Sequence, residues 1–103
     1  MDTVMLNTFV VAATTGSVSE TARTLRYSES TVSYHIREVE KFCRGQLFER
    51  QIRGLSLTRR GMAVLEISHQ LLRMASELES LPLQPASGPN GRPAAGAGSK
   101  VAT

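Results

Sequence analysis

Four side chains in the middle of the chain, Ser30, Tyr34, Arg37 and Lys41, follow one another at intervals of four, three and four residues. At about 100° per residue, this spacing gathers them on one side of an α-helix. A hydroxyl, a phenol, a guanidinium and an ammonium can all donate hydrogen bonds, and two of them carry positive charge. The set holds no nucleophile–base pair. Its chemistry is recognition of phosphate oxygens and base edges. Glu38 and Glu40 fall to the flanks of this face, where an ordinary solvated helix would mix in more carboxylates. The surrounding segment has the same bias. Between Arg23 and Arg60 nine basic residues (Arg23, Arg26, Arg37, Lys41, Arg44, Arg50, Arg53, Arg59, Arg60) face four acidic ones, a local +5, whereas residues 62–81 carry −2. A polyanion-binding surface requires such concentration, although charge alone also permits a solvated basic face.

Other chemistries find little support. His35, His69 and Cys43 lack metal-ligand spacing, and no paired-carboxylate motif, phosphate loop or nucleophile elbow is present. No enzyme activity, metal or cofactor is expected. Cys43 alone forms no internal disulfide and reads most simply as a small core residue in a reducing compartment. His35 lies at the side of the same helix, where a phosphate contact is the lesser reading. No signal peptide is visible, and no apolar run approaches the roughly 20 residues of a membrane span. The expected location is the cytoplasm, with no membrane partner.

The elements that must position this face are short. Leu6, Phe9, Val10 and Ala13 mark a first helix that Gly16 closes. Ser17 and Glu20 form a capping box at the head of a second helix over Val18 to about Leu25, which buries Ala22 and Leu25. Arg26-Tyr27 makes a turn, and Ser28 caps a third helix. On that helix Val32, Ile36, Val39 and Cys43 lie within roughly 60° of one another, the side opposite the donors. The predicted helix-turn-helix spans about residues 18–37.

After the third helix, Leu47/Glu49 and Leu55/Ser56/Leu57 alternate as half-buried strands around an Arg53-Gly54 turn. This hairpin is a wing, with Arg53 at its tip and Arg50 at its base, able to reach a narrow minor groove or a phosphate. Thr58 caps a last helix running to about Leu81. Its Val64, Ile67, Leu71, Met74, Leu78 and Leu81 are spaced 3, 4, 3, 4, 3, a coiled-coil seam that Leu65 and Leu72 widen. Packing against the chain's own first helix would use the same residues, but a partner helix is favoured. A rod of about 30 Å offers more apolar surface than so small a domain covers. The expected fold class is mainly α: a winged helix-turn-helix over residues 1–58, a linker or dimerisation helix over 59–81, and a disordered Pro/Gly-rich tail over 82–103. All four prolines and four of the eight glycines lie in that tail.

In order, Leu6 and Phe9, Gly16-Ser17, Ala22, Leu25, Ser28, Val32-Ser33, Ile36, Glu40, Leu47-Phe48-x-Arg50, Leu57-Thr58 and Gly61 resemble the N-terminal DNA-binding domain of LysR-type transcriptional regulators. The resemblance covers residues 1 to about 80. It implies a third helix in the major groove, a wing on the flanking minor groove and a linker helix that pairs two chains. By position it makes Ser28 a cap and phosphate contact. Glu29, Ser33 and Tyr34 become base readers, Arg37 and Arg50 backbone neighbours, and Arg53 the wing tip. Three features depart from the family pattern. Glu29 stands where Gln is usual, either accepting from a cytosine amino group or serving only as a carboxylate at the helix N-terminus, and Tyr34 stands where Arg is common. Cys43-Arg44-Gly45 shifts a glycine by one position. The family's two-lobed effector domain, finally, has no counterpart in these residues.

Together these readings predict a sequence-specific regulator that binds double-stranded DNA as a homodimer, without a small-molecule effector, and represses by occupying a promoter. Activation through a wing–RNA polymerase contact is a lesser expectation. The alternative, from another class, is an interaction protein that forms mixed dimers with a full-length LysR-type regulator and antagonises it.

Overall fold

A computed structural model describes residues 1–83 of the chain. The expectation of a disordered tail, apart from Pro82 and Leu83, lies outside the described residues. In chain order the elements are α1 (Thr3–Thr15), α2 (Val18–Leu25), α3 (Glu29–Cys43), β1 (Phe48–Gln51), β2 (Gly54–Leu57) and α4 (Arg59–Glu79).

Every helix begins on a short polar side chain that takes up a free amide, as helix starts require. Asp2 accepts from the Met5 N–H, Ser17 from Glu20, Ser28 from Thr31 and Thr58 from Gly61, at 2.9–3.1 Å. Only half of the expected capping box forms. The Glu20 carboxylate turns to Arg23, at 3.3 Å, and the Ser17 N–H donates instead to the Thr15 hydroxyl at 3.2 Å. The threonine is one residue closer along the chain, so it needs no extended glutamate rotamer. At the helix ends, Gly16 adopts the left-handed conformation at φ 70°. Arg26 and Arg44 adopt it too, at φ 61° and 60°. Gly45 is therefore not the left-handed residue of the α3 terminus. A Cβ there would come within 2.7 Å of the Arg60 side chain. Arg60 in turn donates from Nε to the Cys43 carbonyl at 2.8 Å, satisfying an otherwise free group at the end of α3.

The core joins Leu6, Phe9 and Ala12 of α1, Ala22 of α2, Val32, Ile36 and Val39 of α3, and Leu47 and Phe48 at the entry to the wing. The Phe9 and Phe48 rings meet at 5.4 Å between centroids in a tilted pair. Ala12, rather than Ala13, is the fully buried alanine of α1, while Val10, Ala13, Leu25 and Cys43 are half-buried. Among the described residues, the buried polar side chains Thr8, Thr21 and Ser68 all have partners. Thr21 donates to the Ser17 carbonyl (2.7 Å) and Ser68 to the Val64 carbonyl (2.6 Å), as buried hydroxyls must.

The wing pairs Phe48 with Leu57, Glu49 with Ser56, Arg50 with Leu55 and Gln51 with Gly54. The turn therefore falls on Ile52-Arg53, one residue earlier than the expected Arg53-Gly54. Gly54, at φ 126°, opens β2, and a Cβ there would collide with the Gly16 carbonyl oxygen. Leu47 lies just outside the strand because its N–H is diverted from the ladder, although its carbonyl still bonds Thr58, its cross-strand neighbour in the same register. Its N–H donates to the Glu40 carboxylate and its carbonyl accepts from Thr58, both at 3.0 Å.

α4 projects from this unit. Gly61 and Ser68 are buried, and Val64, Leu65 and Leu72 pack against the chain's own core. The expected seam thus divides: Val64 begins it inside the subunit, whereas Ile67, Leu71, Met74 and Leu78 are 48–72% exposed. Leu81, also exposed, lies beyond the helix end at Glu79. Leu65 and Leu72 face inward and do not widen the seam.

At Gly61 a Cβ would overlap the Leu47 carbonyl and press on Leu57 Cδ2. Gly61→Ala is expected to destabilise the fold by about 1–3 kcal/mol through overpacking against backbone. Urea unfolding checks this, as a lower midpoint at unchanged slope.

Candidate nucleic-acid interface

The apolar stripe of α3 is turned toward α1, so the opposite side of the helix faces outward. Ser30, Tyr34, Arg37 and Lys41 are all exposed, Tyr34 at 47%. Glu29 is exposed in the first turn and Ser33 is half-buried. The Ser28 hydroxyl is occupied locally. It accepts from the Thr31 N–H, donates to the Thr31 hydroxyl at 2.9 Å and lies 3.1 Å from Ser30 Oγ. Lys41 meets Glu38 at 3.3 Å, but this pair is solvated and holds the ammonium only weakly. Arg37, Arg50 and Arg53 pair with no carboxylate among the described residues.

A cleft of about 230 Å³ separates α3 from the wing. Val18, Ile36, Phe48 and Leu55 are its apolar lining, while Ser33, Arg37, Glu40, Gln46 and Arg50 supply the polar groups. One guanidinium from the helix and one from the hairpin thus border the same concavity. These two cations outnumber the single Glu40 carboxylate in the lining, so the opening is net positive. The hairpin is held in place by the Leu55 N–H, which donates to the Gly16 carbonyl at 2.9 Å, and by the buried Phe48 ring. Ile52 and Arg53 stand exposed at its tip.

The structure gives His35 a different place from a phosphate contact. Its Nδ1 lies 2.8 Å from the fully buried Thr8 hydroxyl of α1, which also reaches the Val4 carbonyl at 3.2 Å. The ring stands edge-on to Tyr27 at 5.3 Å and lies 6.1 Å from Tyr34. His35 therefore fixes the rotation of α3 on α1 and backs the exposed phenol.

Glu40 performs a second positioning role that its charge concealed, tying α3 to the start of the wing through Leu47. Its place beside Ile36 and Val39, on the flank of the buried stripe, is the signal that could have revealed it. Arg60, counted above only as positive charge, serves the end of α3. Partial burial raises the Cys43 thiol pKa above its ordinary value, and the Arg60 guanidinium only partly offsets this. Among the described residues no group of three or more His, Cys, Asp or Glu could hold a metal, and no helix is long and apolar enough to cross a membrane.

A three-helix unit with a polar third-helix face and an adjoining two-stranded wing is a winged helix-turn-helix domain. The description "Bacterial regulatory helix-turn-helix protein, lysR family" matches residues 4–62, more than half of the chain. The chain belongs to the LysR family. It is similar to the HTH-type transcriptional regulators CitR (43% identical over 72 residues) and GltR (34% over 77 residues) of Bacillus subtilis strain 168. These alignments cover 70% and 75% of this chain and 25% and 26% of the relatives. The chain therefore spans about a quarter of the length of the curated relatives it matches. Among solved structures, the CbnR_DBD–DNA complex matches with a TM-score of 0.73 at 28% identity, covering 77% of this chain and 91% of that one. The BenM_DBD/benA site 1 DNA complex matches at 0.72 and 25% identity, covering 78% and 93%.

The Thr8–His35 contact makes a direct prediction. A double-mutant cycle combining Thr8→Val and His35→Phe should return a coupling of about 1 kcal/mol in unfolding free energy. Additive effects would show that the two side chains do not anchor α3 together.

Proposed function

We propose that this protein binds double-stranded DNA sequence-specifically, as a dimer, and regulates transcription. One observation carries the reading: the outward face of α3 presents hydroxyls and Arg37, which pairs with no carboxylate among the described residues, beside a wing whose Arg50 borders the same cleft. Two similar solved domains, those of CbnR and BenM, are in complex with DNA, which supports it.

In this account α3 enters the major groove. Ser30, Ser33 and Tyr34 face base edges, Arg37, Lys41 and Arg50 neutralise phosphates, and Arg53 follows the wing to the flanking minor groove. Ser28, whose hydroxyl is spent on Thr31, contributes to a phosphate contact by opening the helix N-terminus. Glu29 cannot donate to purine acceptors. It accepts from a cytosine amino group, which biases the site toward C·G at the position it faces.

The exposed stripe of Ile67, Leu71, Met74 and Leu78 is the pairing surface, continued by Leu81, with Val64 anchoring its inner end in the subunit. Two copies joined there present two third helices to half-sites about one or two helical turns apart. Occupancy of a promoter requires only this surface and the dimer, so repression is the simplest outcome, exerted in the cytoplasm on nucleoid DNA.

The test combines a mass measurement with a DNA titration, using duplexes that the protein selects from random sequence. A dimer is expected. Arg37→Ala and Arg53→Ala should each weaken binding about tenfold and reduce the salt slope by about one. Unchanged affinity in both variants would overturn the docking. A monomer that binds only alongside a longer family member would replace the homodimer with a mixed one.

A further inference from the structure

We infer that Ile52, at the tip of the wing, is an apolar wedge that reads the deformability of the flanking DNA. This inference rests on the docking proposed above. Ile52 is fully exposed, at 103% of its reference area, more so than any other large apolar side chain among the described residues. Single apolar side chains on a surface are ordinary, but three features set this one apart.

First, no structural demand accounts for an isoleucine here. The positive backbone angle of the hairpin falls on Gly54, at φ 126°, and neither turn residue adopts one. Any polar turn former would fit position 52, and polar residues are what such turns ordinarily carry. Secondly, the side chain is rigid and so is its mount. A β-branched residue has little χ1 freedom to lose on insertion. The hairpin beneath is fixed by the Leu55–Gly16 hydrogen bond and by Gln51 Nε2, which donates to Ser56 Oγ at 3.0 Å. Thirdly, the tip is surrounded by positive charge. Arg53 is its neighbour in the turn, and Arg50 lies two residues back along β1, at the cleft shared with Arg37 and Ser33. At about 3.4 Å per residue, the tip stands roughly 7 Å beyond that cleft.

A groove walled by phosphates calls for guanidinium groups beside the tip, and its inner surface of sugar C–H groups and stacked bases accepts an aliphatic side chain. Apolar wedges in the minor groove partly unstack a base step and bend the duplex. Pyrimidine–purine steps, TA and CA/TG, yield most readily. Arg50 and Arg53 hold the backbone on either side while Ile52 presses between them, so the wing prefers a flexible step where it makes no hydrogen bond to a base.

The experiment compares wild type, Ile52→Ser and Ile52→Val on random-sequence duplex DNA. It then measures, by energy transfer between end labels, the bend in the duplex that wild type selects. Wild type should enrich TA or CA/TG at the wing-facing flank by about fivefold or more over other steps. Ile52→Ser should lose that enrichment and most of the bend, yet keep the base preference of the α3 half-site and the salt slope. Ile52→Val should retain the flank preference. A wild-type protein that selects no sequence would sink the DNA-binding reading itself. Normal selection with a flank and bend untouched in Ile52→Ser would overturn the wedge alone.

Discussion

The burial of Val32, Ile36 and Val39 against Leu6 and Phe9 decides which side of α3 the molecule offers to a partner. A fully buried aliphatic side chain contributes about 1.5–3 kcal/mol, so three of them supply several kcal/mol. The net stability of a whole domain is only about 5–15 kcal/mol. Rotating α3 by half a turn would forfeit that contribution and bury Arg37 and Lys41 without counter-ions, which costs more still. The outward display of donors is therefore a consequence of core packing. Hydrogen bonds add angular precision: His35 on Thr8 limits rotation about the axis, while Glu40 on Leu47 and Arg60 on Cys43 fix the far end of the helix against the wing and α4.

The same packing makes α3 and the wing one rigid reader. Gly16 closes α1 and also accepts from Leu55, so the N-terminal helix holds the hairpin at the correct height. Close approach at Gly54 and Gly61 leaves no room for a side chain, and both contacts are made with backbone. A surface assembled this tightly presents its cations with little loss of freedom on binding. α4 follows a different rule. One side completes the core through Leu65, Ser68 and Leu72, and the other leaves an aliphatic row in water. An apolar row of that length is costly for an isolated chain, and the pairing proposed for it would cover it.

Most of this architecture was legible in the residues themselves. The period of Val32, Ile36 and Val39, the caps Ser17, Ser28 and Thr58, and the breaker Gly16 mark elements whose bounds the structure reproduces within a residue or two. The errors share a cause. The turn shifted to Ile52-Arg53 because a contact between two distant backbones, Gly16 and Gly54, assigned the glycine to β2. Leu47 left its strand because Glu40 claimed its N–H. The seam divided because helical spacing gives the angle between residues but not which neighbour occupies it. His35, Glu40 and Arg60 were misread or overlooked for the same reason. Their partners lie 27, 7 and 17 residues away, beyond the reach of any local pattern.

The most direct measurement is a backbone-amide NMR titration of the full chain with duplex DNA. Shifts and broadening should concentrate at residues 28–41 and 50–54, scale down with added salt, and spare Leu6, Phe9 and the inward side of α4. Perturbations confined to α4, or an unchanged spectrum at low salt and saturating duplex, would contradict the account: the ridge that packing exposes would then not be the surface that meets nucleic acid.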